Sequence, residues 1–365
     1  MFWFTGDFKK LVQHNSLKNL ELKSSIKITG KDIQNLIPRC PQLQRLVMHG
    51  CCPTVFYPII KYSPPGLKIF GYNPLPGSPV PELQPTTPLG NEYQGLQILY
   101  VFNEEGSLPI NDVLLLLYNN RTTLTTLHVG MSVPSPHTSV YDITCPDFKL
   151  ENLVHLSFWG SSQIQDILFQ KIQDLNALTT LNGENIYSLE PCFKNVKRLS
   201  SLISLNINHV DYPVKQDHTV QFFDMFSSRS KIGLPSLQEI ALHNVPGVND
   251  TILNVMGDIK TLQVVTLGGL RQISTAEINT FIQKLGCQLS RIRFVGMKTV
   301  TDDTIIGLCM SSNLATVDLE SLEKVTRNSL QYLCDNAISN RLSEVRVKNC
   351  SAIGRDAIFR FTPIE

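Results

Sequence analysis

An α/β solenoid of about thirteen stacked units is the fold class predicted for this 365-residue chain, and three observations predict it. An apolar hexad of the form L-x-x-L-x-L, with Ile, Val or Phe as substitutes, returns thirteen times, mostly at intervals of 24 to 29 residues. Several copies are followed by a Thr, Asn or Ser that opens a polar first turn and then an apolar run at helical spacing. Charged residues are only 17% of the chain while hydrophobic ones are 42%. That balance suits a continuous core that every unit helps to fill, since average soluble proteins carry roughly 25% charge.

The hexads begin at Leu17 (LKNLEL), Leu43 (LQRLVM), Leu67 (LKIFGY), Leu96 (LQILYV), Leu124 (LTTLHV) and Leu153 (LVHLSF). A weaker copy stands at Leu178 (LTTLNG), where Gly183 replaces the last apolar residue. Six more begin at Leu202 (LISLNI), Leu237 (LQEIAL), Leu262 (LQVVTL), Leu289 (LSRIRF), Leu314 (LATVDL) and Leu342 (LSEVRV). L-x-L has the period of two that makes a short strand with alternate residues pointing inward, and the earlier Leu anchors the turn that enters it. Helix starts follow at Ile28 (ITGKDIQNLI), Val248 (VNDTILNVM), Ile273 (ISTAEINTFI), Val300 (VTDDTIIGLC) and Val325 (VTRNSLQYLC), each with a capping residue before a polar first turn. One strand and one helix per unit is a leucine-rich repeat, and stacking predicts a horseshoe with a parallel concave sheet and convex helices. No unit buries its leucines alone; stacking does so, at roughly 1.5–3 kcal/mol per Leu. One repeat domain is therefore expected over 17–365, with 1–16 as an N-terminal cap or the remnant of an upstream module.

Three stretches break the rhythm. Residues 73–95 hold Pro74, Pro76, Pro79, Pro81, Pro85 and Pro88, too many for a helix, so this is a Pro-rich insertion or a polyproline ligand for an aromatic groove. Residues 130–152 and 208–236 are irregular in the same sense, the latter with a short amphipathic run from Val220 and a basic-serine turn at Ser227–Lys231.

The repeat also selects side chains for recognition, because the residues flanking the inward positions of each hexad face away from the core. In the fourth to sixth units these are Ile98, Tyr100 and Phe102; Thr126, His128 and Gly130; His155, Ser157 and Trp159. Three large aromatics and two imidazoles without a charge among them form an apolar patch, which marks an interaction site unless a loop of the chain covers it. In the last three units the same positions read Arg291, Arg293 and Val295; Thr316, Asp318 and Glu320; Glu344, Arg346 and Lys348. These charges either pair across the ladder or present a mixed, salt-sensitive surface to a partner.

Other chemistry is excluded class by class. With 32 basic and 31 acidic residues the net charge is +1, which provides no field for nucleic acid or an anionic membrane. No phosphate-binding glycine loop, zinc-protease or nucleophile-elbow motif occurs, so neither enzyme activity nor a cofactor is expected. The nine cysteines are scattered, without a CxxC pair or metal-ligand spacing, and read as reduced packing residues rather than metal ligands. No signal peptide or long apolar run is seen, the longest being Val113–Tyr118. The expected setting is cytoplasmic or nuclear, and the N-x-S/T matches at Asn120, Asn249 and Asn349 are then chance.

The units resemble the cysteine-containing repeats of F-box/leucine-rich-repeat proteins, C-x-x-L-x-x-L-x-L-x-x-C-x-x-I-T-D. Cys40-Pro41-Gln42-Leu43 with Cys51 matches both cysteine positions, Lys348-Asn349-Cys350 matches the second, and Thr301-Asp302-Asp303 and Asn249-Asp250-Thr251 match the helix start. The resemblance is sharp at 17–52 and 237–358 and implies a protein-binding, substrate-recognition role in an SCF-type ubiquitin ligase. It does not extend to the F-box: the sixteen residues before Leu17 hold no Leu-Pro start. Binding of the ligase adaptor is expected only if an F-box stands upstream, and the alternative is an F-box-free interaction or inhibitor protein. A monomeric solenoid is expected in either case.

Overall fold

The computed structural model describes residues 2–4, 16–23, 28–52, 55, 59, 66–74, 95–103, 110–131, 147–160, 172–173, 175–184, 199–208, 235–336, 341–354 and 356–361. The Pro-rich insertion after Pro74 and the irregular stretches at 132–146 and 209–234, including the amphipathic run and the basic-serine turn, lie outside them. The chain forms two compact units, Met1–Leu178 with Lys194–Val196, and Thr179–Phe193 with Lys197–Glu365.

Every hexad is a strand that begins two residues after its first Leu. In unit one these are β2 (Asn19–Lys23), β3 (Arg45–Cys51), β4 (Ile69–Pro74), β5 (Ile98–Asn103), β6 (Thr126–Met131) and β8 (His155–Gly160), parallel neighbours in that order. A further strand, β1 (Phe2–Phe4), lies in the segment read as a cap or remnant and pairs parallel with β2. β7 (Phe148–Lys149) and β9 (Ile172–Gln173) form a separate parallel pair. Unit two stacks β10 (Thr180–Glu184), β11 (Ser204–Asn208), β12 (Glu239–His243), β13 (Val264–Gly268), β14 (Arg291–Val295), β15 (Thr316–Glu320) and β16 (Glu344–Lys348), all parallel. It ends in β17 (Ala357–Arg360), which returns antiparallel to β16.

The motif leucines show why the stack holds. Leu43, Leu96, Leu124, Leu153, Leu178, Leu237, Leu262 and Leu289 are fully buried, as are most of the apolar residues that follow them at alternate positions. The carbonyl just after the first Leu accepts two N–H groups of the next unit: Lys18 O takes Gln44 N at 2.8 Å and Arg45 N at 3.0 Å, and Gln44 O takes Lys68 N and Ile69 N at the same distances. This forked bond fixes the register of each strand against its predecessor and recurs in both units.

Helices α1 (Gly30–Leu36), α2 (Ile110–Asn119), α3 (Asp250–Met256), α4 (Thr275–Leu285), α5 (Asp302–Gly307) and α6 (Arg327–Asp335) occupy return paths. Five start at the caps expected from sequence: Thr29, Asn249, Ser274, Thr301 and Thr326 all have extended backbone before the first turn. The first helical residue of one unit also reaches the next. Asp250 Oδ1 accepts from Ser274 N at 2.7 Å, and Asp302 accepts from both the N–H and the hydroxyl of Thr326 at 2.7 Å. Burial pushes the Asp302 carboxyl up, but hydrogen bonds from Ser329 and Thr326 outweigh it and hold the group below the usual carboxylate range.

α2 does not follow one of the helix-start motifs read from the sequence; it buries Val113, Leu114, Leu116 and Leu117, the run whose length had only ruled out a membrane span. Its first turn contains Asp112, which is 8% exposed. A carboxylate near a helix N-terminus gains about 0.3–1 kcal/mol from the dipole, whereas burying a charge costs several, so burial prevails and the carboxyl is raised from 3.8 to about 6. Because the folded value lies above the unfolded one, the stability tied to the proton is fully present below the unfolded value and is lost as pH rises through about 6. Asp112→Asn is therefore expected to raise the melting temperature at neutral pH and to leave it nearly unchanged in mild acid, as a pH series of thermal melts will show.

Candidate functional site

The register brings the uncharged side chains of unit one into three rows. Ile98, Thr126 and His155 are aligned across β5, β6 and β8, as are Tyr100, His128 and Ser157, and then Phe102, Gly130 and Trp159. The Tyr100 ring stacks on His128 with centroids 4.7 Å apart and planes 12° from parallel. Phe102 and Trp159 stand on strands that are not neighbours, yet their rings stack at 6.3 Å and 20°. Gly130 makes this possible: a Cβ there would stand 1.9 Å from Trp159 Cε2 and 2.1 Å from Nε1. The indole lies across the glycine and reaches the second strand along. All of these side chains are half-buried except that of His155, which is exposed. Burial, and then the neighbouring His155, lower the His128 pKa, so the stack carries a neutral imidazole at pH 7.

The same face changes character toward β2. Glu21, 8% exposed, is approached by Lys23 at 3.4 Å, Arg45 at 3.5 Å and His49 at 3.9 Å. Next to it Val47 leans over Gly71, where an added Cβ would stand 3.1 Å from Val47 Cγ1. These residues were not among the sequence candidates, although the rule that selected Tyr100 and His128 gives Glu21 and Val47 when applied to the first two hexads.

In unit two the charges of β14 to β16 are bound to one another. Arg291 donates to Asp318 Oδ2 through Nε at 3.1 Å and Nη2 at 2.6 Å, and Arg346 approaches the other carboxylate oxygen at 3.7 Å. Glu320 accepts from Arg293 at 2.6 Å and from Lys348 at 3.1 Å, and those two hydrogen bonds hold its pKa below the usual range. Glu344 is held by Arg346 at 2.6 Å and by Arg360 at 3.3 Å. Arg360 comes from β17, which no hexad announces. All seven sequence-selected charges, joined by Arg360, thus sit in one ladder in which five cations surround three carboxylates.

The seven described cysteines are free thiols; Cys40, Cys51 and Cys350 are buried. Burial raises the pKa of Cys40 and of Cys350, which suits packing rather than nucleophilic chemistry. Among the described residues no group of three or more His, Cys, Asp or Glu is placed to hold a metal ion, and no helix is long and apolar enough to cross a membrane. Asn120, one of the three N-x-S/T positions, is fully buried and cannot carry a glycan in the folded chain.

No protein-family model and no curated protein matches the sequence. Among solved structures, a chain of the yeast Rad7 and Elc1 complex is similar at 16% identity and a TM-score of 0.48, over 88% of this chain and 80% of that one. The internalin inlF of Listeria monocytogenes is similar at 13% identity and 0.41, over 92% and 87%. A chain of the TLR13–ssRNA13 complex is similar at 15% and 0.42, over 91% of this chain but 39% of that one. The fold assignment rests on the geometry above: thirteen leucine-anchored hexads form parallel strands, with helices on return paths, and the chain is a leucine-rich-repeat solenoid.

Proposed function

We propose that this chain is a non-enzymatic repeat scaffold that captures a protein segment on the strand face of unit one. The observation that carries this is the pair of stacked rows, Tyr100 on His128 and Phe102 on Trp159, with no charged residue at any of the nine positions around them. Strand faces with room for Lys or Glu usually carry them; rigid aromatics in their place supply contact area at low entropic cost and dominate binding hot spots.

Trp159→Ala is expected to reduce partner capture about tenfold or more with little change in melting temperature. Gly130→Ala should do the same by displacing the indole with one methyl group, and quantitative affinity purification against wild-type chain reads both. A large fall in melting temperature in Trp159→Ala would show that the indole is core instead.

The finer reading is substrate recognition within an SCF-type ubiquitin ligase. Its support is the cysteine-repeat pattern, with Cys40, Cys51 and Cys350 buried at the family's positions. Adaptor and cullin among the purified partners would support it, and partners without them would assign a scaffold or inhibitor unconnected with ubiquitin transfer. A cytoplasmic or nuclear setting goes with either outcome.

A further inference from the structure

Unit two contains a cavity of about 780 Å³ at the exits of β12 to β15 that the sequence did not announce. It arises from the way the strands end. Asn244, Gly269, Gly296 and Ser321, one per repeat, have φ of 50°, 59°, 58° and 54°. Each still donates its N–H to the next strand, at 2.8–2.9 Å, so the chain turns away sharply without breaking the ladder and leaves a hollow above it. Glycine keeps the floor open: a Cβ on Gly268 would stand 2.3 Å from His243 Nδ1, and one on Gly269 would stand 1.9 Å from Asn244 Oδ1.

The lining is one-sided in charge. Arg271 and Lys298 stand at it, both exposed, and neither has an ion pair or hydrogen bond among the described residues. Every cation of the neighbouring ladder, by contrast, is engaged. No carboxylate lines the cavity, and Glu320, at the end of β15, is already held by Arg293 and Lys348. The Thr299 hydroxyl in the lining is buried without a partner, and Ser321 adds a second hydroxyl. Two free cations, the Ser321 hydroxyl and the His243 imidazole around a partly enclosed hollow suit a compact dianion.

We propose that this cavity binds the phosphoryl group of a phosphate monoester, with Arg271 and Lys298 meeting its charge and the exposed Ser321 hydroxyl one of its oxygens. The site is built within unit two and does not rest on the aromatic face of unit one.

Calorimetric titration of the full chain tests it with four probes: inorganic phosphate, a glycine-serine peptide bearing one phosphoserine, its unphosphorylated twin, and acetate. Inorganic phosphate and the phosphopeptide should compete for one site, the twin should not bind, and acetate should not displace them. The double variant Arg271→Gln/Lys298→Gln should weaken binding about tenfold or more with an unchanged melting temperature, since both side chains are exposed and unpaired. Ser321→Ala should lose a smaller factor. A phosphopeptide that binds more tightly than inorganic phosphate assigns a protein-borne phosphoryl group; equal affinities assign a small soluble phosphate. Absence of saturable binding, binding that survives the double variant, or displacement by acetate as effective as by phosphate overturns the proposal.

Discussion

Asn120→Leu is expected to cost unit one about 3–5 kcal/mol, since it leaves a buried backbone N–H and a buried carbonyl without the partners they now have. Asn120 is fully buried just beyond α2. Its Oδ1 accepts the N–H of Leu96 at 2.5 Å, and its Nδ2 donates to the carbonyl of Leu116 at 2.6 Å. One side chain thus ties the end of a helix to the motif Leu of the preceding repeat, and its own carbonyl accepts from Thr123 and Leu124 as the chain enters β6. Leucine matches the volume but offers neither bond. Asn120→Asp separates the contributions, because it keeps the acceptor, loses the donor and adds a buried charge; its deficit should exceed that of Leu at neutral pH and shrink in acid, where the carboxyl is protonated. Chemical denaturation of the variants measures both. A loss under 1 kcal/mol for Asn120→Leu would show that water or a local shift replaces the amide.

Asp318→Ala should cost unit two about 2–3 kcal/mol, less than the roughly 3–5 of a fully buried pair because the two guanidiniums remain partly hydrated. The side chain of Asp318 is 9% exposed, while those of Arg291 and Arg346 are 44% and 48% exposed. Removing the carboxylate leaves five cations facing two anions, so repulsion adds to the lost hydrogen bonds. That part is screened by salt: the deficit in melting temperature should narrow as ionic strength rises. Asp318→Asn, which retains an acceptor, should lose about half as much, and the double variant Asp318→Ala/Arg346→Ala should regain part of the loss. A deficit independent of salt would mean that packing, rather than charge, holds this strand.

Strands and capped helices could be read from residue order because each depends on a local rule. Arg291 to Val295 alternates outward and inward whatever lies elsewhere, and Ser274 caps α4 through Glu277 N three residues later. What escaped the sequence depends on partners far along the chain. α2 follows none of the helix-start motifs read from the sequence, β17 is placed only by pairing with β16, and the cavity at Gly268 and Gly269 exists because four repeats turn in step. The face of unit one lies between these cases. Register followed from the hexads, so Tyr100 beside His128 was foreseeable, whereas the reach of Trp159 to Phe102 depended on the intervening residue being Gly130.

The aspartates that open α3 and α5 bear on how such a chain can grow. Asp250 and Asp302 bond to the cap of the following repeat, at Ser274 and Thr326, so the start of each of those later helices is completed by its predecessor. A duplication or deletion that cuts inside a repeat would separate an aspartate from the cap residue that donates to it and strand both, while one that begins and ends at equivalent positions restores the bond across the new junction. Gene lengthening in steps of a whole repeat preserves the interface, and the 25 residues from Asp250, which opens α3, to Thr275, which opens α4, recur from Asp302 to Arg327 as the module that such steps would copy.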